Sequence, residues 1–354
     1  MKFPNILNFA GGRIVKTGIA VFVTALICHL FNWSAMFAVI AAIVTIEPTT
    51  SDSIKKALVR FPATAIGTAY AVLFTFLFKD SAFSYAFVAL ATFITCHKLK
   101  LHAGTLVATI TGAAMITTVQ DHYFLSFVER LASTSTGLVV SSLVNLLVMP
   151  PNYSLPITNG IHSLYQKTSS ILSDRGREIL HIQPCDKGLQ KEFRKLLKDL
   201  DKIENLCHYQ KEEWKYHRVK REGIREYRFE YKKLMILRQI VHHVGNLIYL
   251  PSLPLQLEQR KKEHILATIK SIEGAFVGTD FWGKEDVHNY RRDLTEWFYE
   301  IKESMNLEGF QKDSHCISPE RALLYEILSL YDLSVRLKQI QSLHHRKHSA
   351  TTII

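Results

Sequence analysis

The chain has 354 residues, 47% of them hydrophobic and 21% charged, with a formal net charge of +11, averages that resemble a soluble protein only because two unlike parts are mixed. From Met1 to Pro150 there are ten Lys or Arg and five Asp or Glu, against 33 and 27 in the remaining 204 residues, so charge density jumps near Pro150. The positive excess is shared, +5 and +6; this excludes a nucleic-acid-binding stripe, which gathers its charge on one face, and fits Lys and Arg collected at the cytoplasmic side of a bilayer.

Six apolar segments precede Pro150: Ile14 to Leu30, Ala35 to Ile46, Phe61 to Phe78, Phe83 to Cys96, Ala103 to Val119 and Leu125 to Met149. Several fall short of the roughly 20 residues that span a bilayer core. Six in succession with short loops between them cannot be packed inside one soluble globule, so they are read as transmembrane helices. No small-residue cleavage site follows Leu30, which makes the first segment a helix and not a signal peptide. Lys2, Arg13, Lys16, Lys55, Lys56, Arg60, Lys98 and Lys100 fall on one side of this arrangement. Lys79 and Arg130, on the other side, are balanced by Asp80, Asp121 and Glu129. The basic side is then cytoplasmic, and six crossings leave both termini there.

The third and sixth segments share a motif. Arg60-Phe61-Pro62-Ala63-Thr64-Ala65-Ile66-Gly67 and Arg130-Leu131-Ala132-Ser133-Thr134-Ser135-Thr136-Gly137 both read R-x3-T-x2-G. The pattern continues to Ala71 in one copy and to Ser141 and Asn145 in the other, on one helical face. Gly67 and Gly137, with Gly112 of the fifth segment, are expected packing positions where helices approach closely. Matching motifs in oppositely directed helices predict two three-helix repeats of inverted topology. The second helix of each repeat is short or rich in small and polar residues: Ala35 to Ile46 ends at Glu47-Pro48, and Ala103 to Val119 carries Thr105, Thr109, Thr111, Thr117 and Thr118 with Gly104, Ala108 and Gly112 spaced by four. Interrupted segments of this kind mark substrate sites in repeat transporters, and the fifth segment is read as a cavity wall. Arg60 and Arg130, with Thr64, Thr134, Thr105 and Thr109, would then favour an anion, because guanidinium matches a carboxylate in a bidentate fork. The competing reading makes the arginines headgroup anchors and the motif a packing device.

At this point the chain resembles the aromatic acid exporter and fusaric acid resistance-like membrane proteins, of the Gram-positive aromatic acid exporter type. The resemblance is carried by Arg13-x2-Lys16-Thr17-Gly18, by Glu47-Pro48 followed by Ile54-Lys55-Lys56-Ala57, by both R-x3-T-x2-G helices, and by Asn145 before Pro150-Pro151. It implies six helices, a homo-oligomer and efflux of aromatic carboxylates, with a distant similarity to plant malate channels, and it adds Arg13, Lys16, Glu47 and Asn145 to the substrate-binding set. Two departures stand out. Pro62 sits one turn into the third segment, acceptable near a helix start, and Ala63 stands where relatives often have glycine, which weakens the expected helix contact there.

After Pro150-Pro151, helical periodicity recurs near Leu155 to Leu180, Leu189 to His217, Ile224 to Leu250, Leu255 to Phe276, Val287 to Met305 and Ser318 to His344, with breaks at Pro184, Pro251, Pro254, Gly278 and Gly309. The expected architecture is therefore all-α: a transmembrane domain over residues 1–151, a cytoplasmic helical bundle with charged outer faces over 152–345, and a disordered tail over 346–354. The mixed run Lys211-Glu212-Glu213-Trp214-Lys215-Tyr216-His217-Arg218 reads as a solvated helix or loop, with a binding face as the alternative.

Cys28, Cys96, Cys185, Cys207 and Cys316 form no CxxC pair, which argues against a zinc site or a disulfide framework. His242-His243, His344-His345 and His348 do not suggest a metal either, since adjacent histidines face different ways along a helix. No metal or cofactor is expected. The sequence lacks a Walker A loop, a GxGxxG before a helix, a GxSxG elbow and an HExxH pair, so neither an ATP-driven pump nor a common hydrolase has a foothold, and an enzyme is not expected. The leading expectation is a cell-membrane transporter of small organic anions in contact with membrane lipids. The alternative is a membrane-anchored scaffold or sensor whose helical bundle binds a partner or ligand.

Overall fold

The computed structural model describes residues 12–118, 123–180, 188–250, 258–278, 289, 291–300 and 318–351. Lys2, Asp121, Cys185, Cys316, Pro184, Pro251, Pro254 and Gly309 lie outside the described residues. So do the expected helix starts at Leu255 and Val287, the helix ends at Val119 and Met305, and residues 352–354. Among the described residues the fold is all-α, and the chain divides into two compact units. One comprises Met1–Asn152 together with Tyr209–Arg218, the other Tyr153–His208 and Val219–Ile354.

The first unit contains α1 (Gly12–Leu30), α2 (Ala35–Thr45), α3 (Thr50–Phe78), α4 (Ala82–Lys98), α5 (His102–Met115) and α6 (Tyr123–Leu147). Among the described residues, α1 and α3 are long and apolar enough to cross a membrane by length and composition, and α2 is a shorter apolar helix. The start of α3 corrects the sequence reading. The helix begins at Thr50 and not near Phe61, because the Thr49 side chain accepts from the Asp52 amide and Asp52 lies in the first turn. Lys55 and Lys56 are thus helical, and Pro62 sits deep inside α3, where its missing N–H leaves one turn of the helix without its usual bond.

The interior of this unit is built from small and polar side chains, with buried clusters such as Ala20, Ile46, Val140 and Val144 on one side and Ala71, Val88, Met115 and Ile116 on the other. The large apolar side chains point outward, among them Phe22, Leu26, Leu73, Phe93, Leu106, Phe124 and Leu147. This inverts the distribution of a water-soluble core.

Packing within the unit has an internal symmetry. α3 packs on α4, α5 and α6, and α6 packs on α1, α2 and α3, while α1 pairs with α2 and α4 with α5. Exchanging α1, α2 and α3 with α4, α5 and α6 leaves these pairings unchanged. The exchange has a register: Ala38 corresponds to Ala108, Arg60 to Arg130, Thr64 to Thr134 and Gly67 to Gly137, each 70 positions apart. In the first helices the offset is 68, relating Thr24, Cys28 and His29 to Thr92, Cys96 and His97. Both of these helices end alike: Trp33 donates to the Cys28 carbonyl and Asn32 to that of His29, as Leu101 donates to Cys96 and Lys100 to His97.

The second unit contains α7 (Ser154–Ile179), α8 (Leu189–Glu213), α9 (Arg221–Tyr249), α10 (Gln259–Val277) and α11 (Pro319–Thr351), with a further helical stretch over 291–300. The last residues of α8, from Tyr209, belong to the first unit. α11 runs on through 346–351, residues that read as tail from sequence. Here the apolar residues do point inward. Leu164, Leu172, Leu196, Leu234, Leu237, Ile240, Ile272 and Ile327 share one core. Arg175 closes the end of α9, donating to the Leu247 and Leu250 carbonyls at 2.9 and 2.7 Å while pairing with Glu178 at 2.9 Å. His243 lies 2.6 Å from Glu326, and His344 stacks on Phe229.

Candidate functional site

The residues that the resemblance adds meet at one end of the first unit. Lys16 of α1, buried, donates to the Asn145 side-chain oxygen at 2.8 Å and to its carbonyl at 3.2 Å. Asn145 of α6 in turn donates to the Ser53 hydroxyl and to the carbonyls of Glu47 and Thr49, pinning the linker between α2 and α3. Arg13 donates to the carbonyl of Ile46 at 3.1 Å. Arg60 of α3 is fully engaged: Nη1 reaches the Val44 carbonyl at 2.9 Å, Nε the Ala103 carbonyl at 3.3 Å, and Nη2 the Glu47 carboxylate at 3.4 Å. Lys56 holds the other Glu47 oxygen at 3.0 Å. Five of the expected site residues, Arg13, Lys16, Glu47, Arg60 and Asn145, therefore form one hydrogen-bonded network in which Glu47 pairs with Arg60 and Lys56, while Arg13 and Lys16 are held by carbonyl and amide oxygens.

Arg130 stands apart from it. Its side chain is 4% exposed, and Nε and Nη1 have no hydrogen-bond partner among the described residues. The guanidinium lies 3.4 Å from the centre of the Phe37 ring of α2, a face-on cation–π contact that stabilises the charge without using its N–H groups. One turn on, the buried Thr134 hydroxyl also lacks a partner among the described residues. The symmetry explains the contrast: Arg60 has Glu47, whereas the position 70 residues after Glu47 is Thr117, which carries no charge and bonds to its own helix at the Ala114 carbonyl.

The threonines of α5 act locally. Thr105, Thr109 and Thr111 donate to the carbonyls of Leu101, Thr105 and Val107 in the preceding turn. Thr64 is buried, and its carbonyl accepts from Thr68. The small residues of α5 form a packing seam. A Cβ on Gly67 would stand 2.6 Å from the Ala108 carbonyl, and one on Gly112 3.0 Å from the Gly67 carbonyl. Gly137 meets the Ala38 carbonyl in the same manner. A close approach also exists at Ala63, with the partners exchanged: the glycine is Gly104, where a Cβ would stand 2.6 Å from that of Ala63.

Sequence reasoning missed Phe37, Ser53 and, above all, Glu212 and Glu213. The run 211–218 is solvated only in part: Lys211, Lys215, Tyr216 and Arg218 are exposed, whereas Glu212 and Glu213, with Gln210 before them, are buried. Glu213 accepts from the Thr50 amide and from the Thr50 hydroxyl at 3.2 Å. Glu212 accepts from the Ser51 hydroxyl at 2.8 Å and pairs with Lys55 and Lys215. The Lys215 ammonium, followed by the Ser51 hydroxyl, holds the Glu212 carboxyl down to about 2. The Thr49-x-x-Asp52 spacing was the one visible signal, a helix start whose free amides attract an anion.

An apolar exterior around buried cations is the arrangement of a membrane-transport family, and comparison with known proteins identifies which. Residues 8–148 match the family model described as aromatic acid exporter family member 1. Over nearly the whole chain there is similarity to UPF0421 proteins: 42% identity to one from Bacillus cereus across 94% of both chains, 37% to one from Oceanobacillus iheyensis across 95% and 97%, and 35% to one from Staphylococcus haemolyticus across 91% and 95%. The chain belongs to the aromatic acid exporter family.

Proposed function

We propose that this protein is a multi-pass cell-membrane transporter that exports organic carboxylates, aromatic ones in particular, and that Arg130 is the group that holds the carboxylate. The observation that carries the reading is the buried Arg130 guanidinium, whose Nε and Nη1 have no partner among the described residues, near a Thr134 hydroxyl in the same condition and on the face of Phe37. A buried cation without a counter-ion is costly, and burial of this kind inside a membrane marks a substrate pathway. A carboxylate supplies what is absent: one charge and two acceptors for the fork. An aromatic ring attached to it can pack beside Phe37. Arg60, by contrast, acts as a structural mate, its fork filled by Glu47 and two carbonyls.

In this reading α1 to α6 cross the bilayer as two inverted three-helix repeats, the Lys16 and Arg60 end faces the cytoplasm, both termini lie there, and the outward-facing apolar side chains meet lipid or a second copy of the chain. The test is uptake of radiolabelled hydroxybenzoate into liposomes containing the purified protein. Wild-type protein moves it, Arg130→Gln lowers the rate at least tenfold, and Arg130→Lys, which keeps the charge but loses the fork, gives an intermediate rate. No movement by wild-type protein, or full activity in Arg130→Gln, overturns the proposal.

A further inference from the structure

We propose that residues Tyr209–Arg218 are a tethered latch that closes the α3 end of the transport path, with Glu213 occupying, as an internal carboxylate, bonds that an incoming organic carboxylate can take. What the latch controls rests on the transport reading; whether it exists does not.

The attachment is made by acceptors and not by apolar surface. Glu213 takes the Thr50 amide, in the first turn of α3, and the Thr50 hydroxyl. Glu212 takes the Ser51 hydroxyl and Lys55. The Thr50 hydroxyl also lies 3.3 Å from the Asn145 carbonyl, the oxygen that accepts from Lys16, so Glu213 and Asn145 share its one proton. The latch therefore sits against the network that joins Lys16, Asn145, Glu47 and Arg60. The turn that follows folds back on it, with the Tyr216 and His217 amides on the Glu213 carbonyl. Desolvating two carboxylates nearly cancels the bonds they gain, so a contact of this composition is exchangeable where an apolar one would be permanent. The free amides of a helix start attract any carboxylate of suitable reach, so the transported anion competes with Glu213 for the same donors. The latch is carried on α8, so release requires only that its last turn move away, with no crossing helix rebuilt.

The experiment uses the full chain in liposomes, with Cys28, Cys96, Cys185, Cys207 and Cys316 replaced by alanine and Ser51→Cys as reporter. Labelling by a membrane-impermeant maleimide and efflux of benzoate are both followed, with and without Glu212→Gln and Glu213→Gln together. The latch predicts at least tenfold faster labelling and several-fold faster benzoate flux in the double glutamine variant. Equal labelling in the two proteins overturns the latch, whatever the flux. Faster labelling with unchanged benzoate flux overturns its control of transport. Faster labelling where neither protein carries benzoate supports the latch and counts against the transport reading. A second variant guards against misfolding: Ser51→Cys with Glu212→Cys, bridged by a reducible bifunctional thiosulfonate, should lose at least tenfold in flux and regain it on reduction. Flux that is indifferent to the bridge overturns the gate.

Discussion

Arg60 and Arg130 occupy equivalent positions in one motif and meet opposite surroundings, so opposite energetics are expected of them. Removing Arg60 strips Glu47 of one cation and leaves two carbonyls without their donor, so Arg60→Met is expected to lower stability by about 3 kcal/mol, the lower end of the cost of breaking a buried pair, since Lys56 remains. Arg130→Met removes a buried charge with no ion-pair partner among the described residues and is expected to leave stability unchanged or higher while abolishing hydroxybenzoate transport. Thermal unfolding of the purified full-length variants in detergent, set beside liposome flux, checks both halves of the contrast. A substantial loss of stability in Arg130→Met would mean that the residue is structural. Sequence placed both arginines correctly in a shared motif, yet gave them one role. What separates them is what each guanidinium meets, the Glu47 carboxylate of the α2–α3 linker for Arg60 and the Phe37 ring for Arg130, and single-chain spacing carries no record of which side chains meet.

The glycine seams argue the same point for helices. Gly67 meets Ala108 and Gly137 meets Ala38 through backbone, with no flexible side chain able to yield. Gly67→Val and Gly137→Val are each expected to destabilise the first unit by roughly 1–3 kcal/mol or more, as overpacking does, and by similar amounts because the contacts are symmetry mates. Gly18, with open space around its missing Cβ, is the control: Gly18→Ala should be neutral or stabilising by up to about 1 kcal/mol through helix propensity. Unequal melting of the two valine variants would count against the equivalence. The expected packing role of these glycines was legible because small residues at spacing four have few other uses in an apolar helix. The Thr24-x3-Cys28-His29 and Thr92-x3-Cys96-His97 pair was equally visible and passed over. The first eleven residues of α3 were missed because lysines at 55 and 56 look like a loop, while the cap that starts the helix is a two-residue signal.

At the scale of the whole molecule, composition alone separated an apolar first part from a charged second part. It could not reveal that ten residues deep in the charged part fold with the first, since the Thr50 to Glu213 contact spans 163 positions. With the Glu212 carboxyl held near 2 by Lys215 and Ser51, its contribution is fully present above the ordinary carboxylate range of about 4.3 and is lost only as pH falls toward about 2. In the Ser51→Cys reporter the Lys215 contact, the larger cause, remains, so the ratio of labelling rates between the latched and Glu212→Gln proteins should stay constant from pH 8 to pH 5; a fall in that ratio by pH 5 would contradict the ion pairing. In the second unit, Arg175→Met is expected to cost about 3–5 kcal/mol, because it uncaps α9 and takes a cation from Glu178 at once. Calorimetry of the full chain reads this as a lowered melting temperature.

The exchanged second helices also set an order of events during synthesis. Gly67 finds its partner only in Ala108, made 41 residues later, and Ala38 waits still longer for Gly137. At about 5–20 residues per second, the first seam stays open for roughly 2–8 s, and the α3 amides wait roughly 8–33 s for Glu213. A nascent chain halted at Phe78 has made every residue of the first repeat and closed neither glycine seam.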